Sequence, residues 1–408
     1  MLLRVYSILV LVTFLLVTSA CSQKEESAIF PANNGFPTGD CSSTAHKTRY
    51  VVKKKDGSIV RVHANSREEM LENYVRPNLN KLEFVETDQL IYANDLIVPA
   101  EREINENSVA TWGADRIQAK VAWDQNIKGQ GVTVAVIDSG VAINHSSLSS
   151  KIYVNEAELF GIPGVDDDGN GYIDDIRGWD FARKSPLNND TSGHGTHVAG
   201  VISGSHSGPM KGVAPEAKIL PLDFMEGGSG FTSDAIEAIE YAKSNGARVI
   251  NASWGSSFCS KLLEDKINSL VNKNVLFVAA AGNSGNNISY WPEYPAAFIS
   301  EAQITVGSIT QRGFMSSFSN YGNLVDVMAP GDEILSTYLG NDYVYLSGTS
   351  MAAPFVSGLA ALLVQKKPDI TVHQLKSILL NSVVKRNYQI KTQGEISVPN
   401  ALSAVDNL

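Results

Sequence analysis

The chain has 408 residues, 43% hydrophobic and 19% charged, with a formal charge of −10. That composition is sufficient for a buried core, and the length fits two or three domains. The basic residues cluster only at Lys53-Lys54-Lys55, so nucleic acid is not an expected partner.

Residues 5–17 form an apolar run after Arg4. It is short for a membrane span and suits the core of a signal peptide. Thr18-Ser19-Ala20 follow, then Cys21. This junction resembles a bacterial lipobox, in which the Cys thiol receives a lipid; an ordinary cleaved signal with an incidental Cys is the alternative. Residues 1–20 are therefore expected to be a signal peptide, with Cys21 lipidated and the protein exported. Three cysteines make no disulfide framework; with Cys21 lipidated, Cys41 and Cys259 are candidates for one bridge, with unpaired thiols as the expected state.

Residues 21–47 are rich in Ser, Asn, Gly, Pro and Thr and are expected to form a flexible tether. Strands are expected at 49–52 and 58–62, joined by a turn at Asp56-Gly57. Ser66 and Glu69 have the spacing of a capping box, which predicts a helix ending near Arg76, before Pro77. Two more strands at 82–85 and 89–92 complete a small α+β unit. From Thr111 the texture changes. Near-continuous apolar runs at 132–137, 219–222, 249–250, 275–281 and 304–306 read as buried parallel strands. Helical segments alternate with them at 196–203, 233–245, 261–272 and 350–366. This alternation predicts a doubly wound α/β layer.

Four polar residues stand at the ends or starts of these elements. Asp138 ends the first run in Val136-Ile137-Asp138-Ser139-Gly140. His194 lies between glycines in Gly193-His194-Gly195-Thr196-His197. Asn283 follows a strand in Ala280-Ala281-Gly282-Asn283, and Ser350 opens a helix in Gly348-Thr349-Ser350-Met351-Ala352-Ala353-Pro354. Singly, each also fits a plainer role: a capping Asp, a structural His, an Asx turn, an N-cap Ser. His194 and His197 have no third ligand nearby, so a metal there is not expected. Pro354 is expected in the first turn of its helix, where its missing N–H does no harm.

Together these motifs resemble the subtilisin-like serine protease family, which has the order Asp, His, Ser. The resemblance runs from about Trp112 to the C-terminus and includes Phe318-Ser319-Asn320-Tyr321-Gly322. It implies a subtilisin-like doubly wound, mostly parallel sheet with helices on both faces, over residues 108–408. It also implies a preceding small α+β, ferredoxin-like pro-domain with its processing linker over residues 48–107. The implied activity is serine endopeptidase action on protein or peptide substrates, made as a self-processed zymogen. In it Ser350 is the nucleophile, His194 the general base and Asp138 its partner; Asn283 serves the oxyanion hole. The pro-domain would inhibit the enzyme intramolecularly. A cut within 98–107 would then release it from a lipid anchor at Cys21.

The same resemblance makes Ser253-Trp254-Gly255 and Gly228-Ser229-Gly230 the two rims of a substrate groove. Trp254 stands where Leu is common, so its ring is expected to narrow or cap a subsite. Tyr294-Pro295 matches a turn in which the proline bond is often cis. Residues 166–175 alternate oxygen-bearing side chains with glycine, and such donors suit calcium. Asp166, Asp168, Asn170, Tyr172 and Asp174 are the expected ligands, with an acidic surface turn as the alternative. Two rival readings are a catalytically dead binding module and an α/β-hydrolase esterase. The complete triad opposes the first. The second requires a Gly-x-Ser-x-Gly elbow and a different residue order.

Overall fold

A computed structural model describes residues 48–93, 111–187 and 189–408. The signal, Cys21, the tether with Cys41, and the expected cleavage region 98–107 lie outside the described residues. Contacts divide the chain into two compact units. One contains residues up to Gln89 together with Phe258–Leu262, and the other contains the rest.

In the smaller unit, Arg49–Lys54 lies between Ile59–His63 and Leu82–Thr87, antiparallel to both. Gly57 has φ +87° in the hairpin turn, and Asp56 Oδ1 accepts the Ser58 N–H at 2.9 Å. Ser66 caps the helix by accepting the Glu69 N–H at 3.1 Å. The Glu69 carboxylate reaches Asn65 N at 2.8 Å, one residue further back than a capping box places it. The helical path runs on past Arg76 to Asn78, with Pro77 in the first turn of its final segment. Tyr50, Val52, Met70, Val75, Leu82 and Val85 form the core. Among the described residues the sheet has three strands. The expected fourth, Leu90–Ala93, pairs instead within the larger unit.

Glu86 is buried in the smaller unit. Ser260 Oγ donates to one carboxyl oxygen, and Lys261 N donates to the other at 2.9 Å. Burial pushes this carboxyl up to about 7, with Asp88 adding to the rise and these donors opposing it. A carboxyl raised on folding contributes stability that is fully present below its unfolded value and is lost as pH rises through about 7. The full change is about 3 kcal/mol at 1.36 kcal/mol per pH unit. In the full-length Ser350→Ala chain, the Val51 and Val52 amides are expected to lose hydrogen-exchange protection between pH ~5 and ~8. Glu86→Gln should flatten that dependence. Equal slopes in both proteins would count against it.

The larger unit is built on a ten-stranded sheet. Its order is Val384–Lys385, Gly394–Glu395, Val327–Pro330, Gln303–Ile309, Leu276–Ala280, Val249–Ala252, Thr133–Asp138, Lys218–Asp223, Trp179–Asp180, Ser185–Pro186. All pairs are parallel except the outermost at each end. The central strands are buried throughout, which is why their sequences are continuous apolar runs. From Thr133–Asp138 the chain runs out to the edge strands Trp179–Asp180 and Ser185–Pro186, comes back to Lys218–Asp223, then passes Thr133–Asp138 to reach Val249–Ala252. Right-handed crossovers put helices on opposite faces when the direction reverses, and a crevice opens at the strand carboxyl ends there. Register aligns those ends: Ile137 pairs with Ala252, and Ala252 with Ala279.

Cys259 is disulfide-bonded, where free thiols were expected. Distance along the chain gave no signal for the bond, because the fold decides which thiols meet. Its partner lies outside the described residues.

Candidate active site

Asp138 ends its strand at the crevice, and its Oδ1 meets His194 Nδ1 at 2.6 Å. The Ser139 N–H also donates to Oδ1, at 2.8 Å. His194 opens the helix His194–Ser203. The flanking glycines are required by close approach. A Cβ on Gly195 would lie 2.1 Å from Gly140 O, and one on Gly193 would lie 2.3 Å from the Tyr338 ring. Burial alone would lower the pKa of His194, but the Asp138 charge and hydrogen bond outweigh it and hold the imidazole above its ordinary value. Nδ1 is engaged by Asp138, and Nε2 is buried with no hydrogen-bond partner among the described residues.

Asp190 was not singled out in the sequence. Its carboxylate accepts the N–H groups of Ser192, Gly193 and Thr196 and the hydroxyls of Ser139 and Thr196. It therefore fixes the loop that carries His194 to the loop after Asp138. Its position just before a helix start is the only local signal, and many capping residues share it. His197 Nε2 lies 3.0 Å from Ile334 O and 3.1 Å from Val344 O. Burial pushes its pKa down to about 3, so it is a neutral structural group.

Ser350 is the second residue of the buried helix Thr349–Lys366, which packs on the helix headed by His194. Its hydroxyl donates to Ser253 O at 3.1 Å. Pro354 lies in the second turn, not the first. The Ser350 carbonyl, left without an N–H from residue 354, accepts Ser253 Oγ at 2.9 Å instead. Asn251 Nδ2 donates to that same Ser253 hydroxyl at 2.9 Å. Asn283 Oδ1 accepts both Thr349 N, at 2.8 Å, and Thr349 Oγ1, at 2.9 Å. This fixes the amide with Nδ2 against Gly348, where a Cβ would come within 3.2 Å.

The two expected rims flank a single strand. Leu90–Ala93 pairs antiparallel with Ser229–Phe231 on one side and with Trp254–Gly255 on the other. The Ala93 N–H also donates to Gly228 O at 3.0 Å. The Trp254 indole does not reach this groove. It is fully buried against Phe224 and Phe277, and Nε1 donates to Ile137 O at 2.8 Å. An indole N–H at this depth requires a carbonyl, and the core supplies one. The Tyr294–Pro295 bond is cis.

In the acidic loop, Asp168 is grouped with Glu158 and Asp175, one oxygen of each lying within 4.8 Å of the others. Glu158 and Asp175 are buried and had not been picked out. Asp166 and Asp174 instead accept backbone N–H groups of Asn170, Gly171 and Gly164. Asn170 Nδ2 donates to Asp168 and Asp175, and the Tyr172 N–H donates to Asn170 Oδ1.

The fold and this constellation define the class of α/β proteins that set Asp, His and Ser, in chain order, at the carboxyl edge of a parallel sheet. Residues 129–398 match the Subtilase family, and the chain belongs to that family. It is 38% identical over 267 residues to "Thermophilic serine proteinase" of Bacillus sp. (strain AK1), covering 64% of this chain but only 60% of that protein. It is 39% identical to "Thermitase" of Thermoactinomyces vulgaris, covering 62% of this chain and 81% of that one. "Crystal structure of a cold adapted subtilisin-like serine proteinase" superposes with a TM-score of 0.55 at 30% identity, covering 75% of this chain and 94% of that one.

Proposed function

We propose that the protein is an exported serine endopeptidase made as a self-processed zymogen. The observation that carries the reading is the His194 Nδ1–Asp138 Oδ1 contact of 2.6 Å, which leaves Nε2 as the ring nitrogen without a partner among the described residues. Ser350 Oγ attacks the peptide carbonyl, and His194 Nε2 takes its proton. Asn283 Nδ2 and the Ser350 N–H hold the oxyanion. The C–N bond breaks as His194 returns the proton to the leaving amine, and water then hydrolyses the acyl-enzyme. Hydrolysis of unfolded casein by the wild type but not by Ser350→Ala tests this reading.

Leu90–Ala93 lies between the two rims as a peptide substrate would, which supports a role for the preceding segment as an intramolecular inhibitor. Cleavage within 98–107 and a lipid on Cys21 belong to the same reading.

The acidic loop is read as a structural calcium site. The donors are hard oxygens, and the groups that hydrogen-bond them include Asn155, Asn170 and Tyr241, which carry no charge. Calcium would supply the counter-charge these carboxylates lack, with Glu158, Asp168 and Asp175 holding it. Ligand binding to the native state stabilises by about 2.7 kcal/mol at a hundredfold excess over Kd. A chelator is expected to lower Tm by several degrees, and Asp168→Ala to remove that response. A wild-type Tm indifferent to chelator would leave the loop as a surface turn.

A further inference from the structure

Glu293 places a carboxylate where the chemistry of peptide cleavage requires none. It immediately precedes Tyr294, which exchanges two backbone hydrogen bonds with Ser256, at 2.8 and 2.7 Å. Glu293 is therefore carried at the end of the segment 253–256. Its other flank is the loop after Ala281. A Cβ on Gly282 would meet Glu293 Oε2 at 2.0 Å, and the Ser284 hydroxyl donates to Oε1 at 2.7 Å. Segments 253–256 and 282–284 continue two adjacent parallel strands, so the acid stands between their extensions.

Those same two segments frame the reacting atoms. Ser253 O holds the Ser350 hydroxyl at 3.1 Å, and Asn283 is fixed on Thr349. The residue that supplies the scissile carbonyl bears its side chain on the adjacent carbon. A carbonyl held between Ser350 and Asn283 would direct that side chain into the gap between the two segments, toward Glu293. The carboxylate is half-buried, and none of the ion pairs among the described residues uses it. An apolar side chain there would desolvate a charge without pairing it, and an acidic one would be repelled. A lysine or arginine would supply the missing partner.

We propose that Glu293 is the specificity residue of this site and selects lysine or arginine on the acyl side of the cut bond. This rests on the endopeptidase reading above. The test uses processed enzyme and peptide amides that differ only at that residue: Lys, Arg, Leu or Glu. The Lys-to-Leu ratio of kcat/KM is expected to be on the order of ten to a hundred, the strength of a hydrogen bond to a charged group. It should fall toward one in Glu293→Gln, which keeps the Ser284 bond. Glu293→Lys should move the ranking toward the Glu peptide. Each ratio is taken within one preparation, so the folded fraction cancels. Turnover with Leu equal to or above Lys, or a ratio unmoved by Glu293→Gln, overturns the assignment alone. Absence of turnover on all four peptides overturns the endopeptidase reading, and the assignment with it.

Discussion

Ser350→Ala is expected to lower kcat by about 10⁶-fold, the loss found when the nucleophile of subtilisin itself is removed. The reason is chemical. Without the Ser350 hydroxyl the proposed nucleophile is gone, so the acyl-enzyme cannot form. The cost to folding should be small. Among the described residues the hydroxyl makes one hydrogen bond, to Ser253 O at 3.1 Å, and a bond of that kind contributes about 1 kcal/mol. The variant should therefore keep its fold, which circular dichroism and a near-parental Tm would check. It should also persist as an uncut precursor after signal removal, because the residue proposed to cut the substrate is also the one proposed to cut the linker. Undiminished casein hydrolysis by a clean Ser350→Ala preparation would sink the triad assignment. Efficient processing of that variant in pure form would sink self-processing.

The processed enzyme is expected to remain one covalent species until a reductant is added. Cys259 is disulfide-bonded, and the other two cysteines, Cys21 and Cys41, both precede residue 48. A bridge from Cys259 to either one spans any cut within 98–107. Lipid on Cys21 would occupy that sulfur as a thioether, so a lipidated chain would have Cys41 as the partner. With unpaired thiols the cut alone would free the enzyme; the bond on Cys259 gives the other outcome, in which the cut halves stay joined. Exported proteins retain disulfides, since their surroundings do not reduce them. Electrophoresis of the processed protein should give a full-size band without reductant, and a large and a small fragment with it. With lipid on Cys21, activity should sediment with membranes in fractionation and become soluble only after reduction. Cys259→Ala should release the enzyme on processing alone. Separate fragments without reductant would refute the joined state.

Much of the site was legible from local sequence because its demands are local. Gly195 must lack a side chain to lie on Gly140 O, and Ser350 must follow Gly348-Thr349 for Asn283 to dock. Such constraints leave a contiguous motif. The buried strands were legible for a similar reason, since a strand covered on both faces is apolar at every position. The strand at 90–93 was legible as a strand, but not in its pairing. Alternation says that a segment is extended and is silent about which edge it joins.

The sequence by itself determined the alternating α/β order, the family, and the four residues proposed for chemistry. Only the tertiary structure decided which distant groups meet. It turned the Trp254 ring into the core, gave the Ser350 carbonyl to Ser253 in place of the N–H that Pro354 lacks, and brought Asp190 to the His194 loop. It also grouped Glu158 and Asp175 with Asp168, and set Glu293 over Gly282. These contacts follow from sheet register and crossover direction. Register is fixed by the packing of the whole layer, so no spacing along the chain records it.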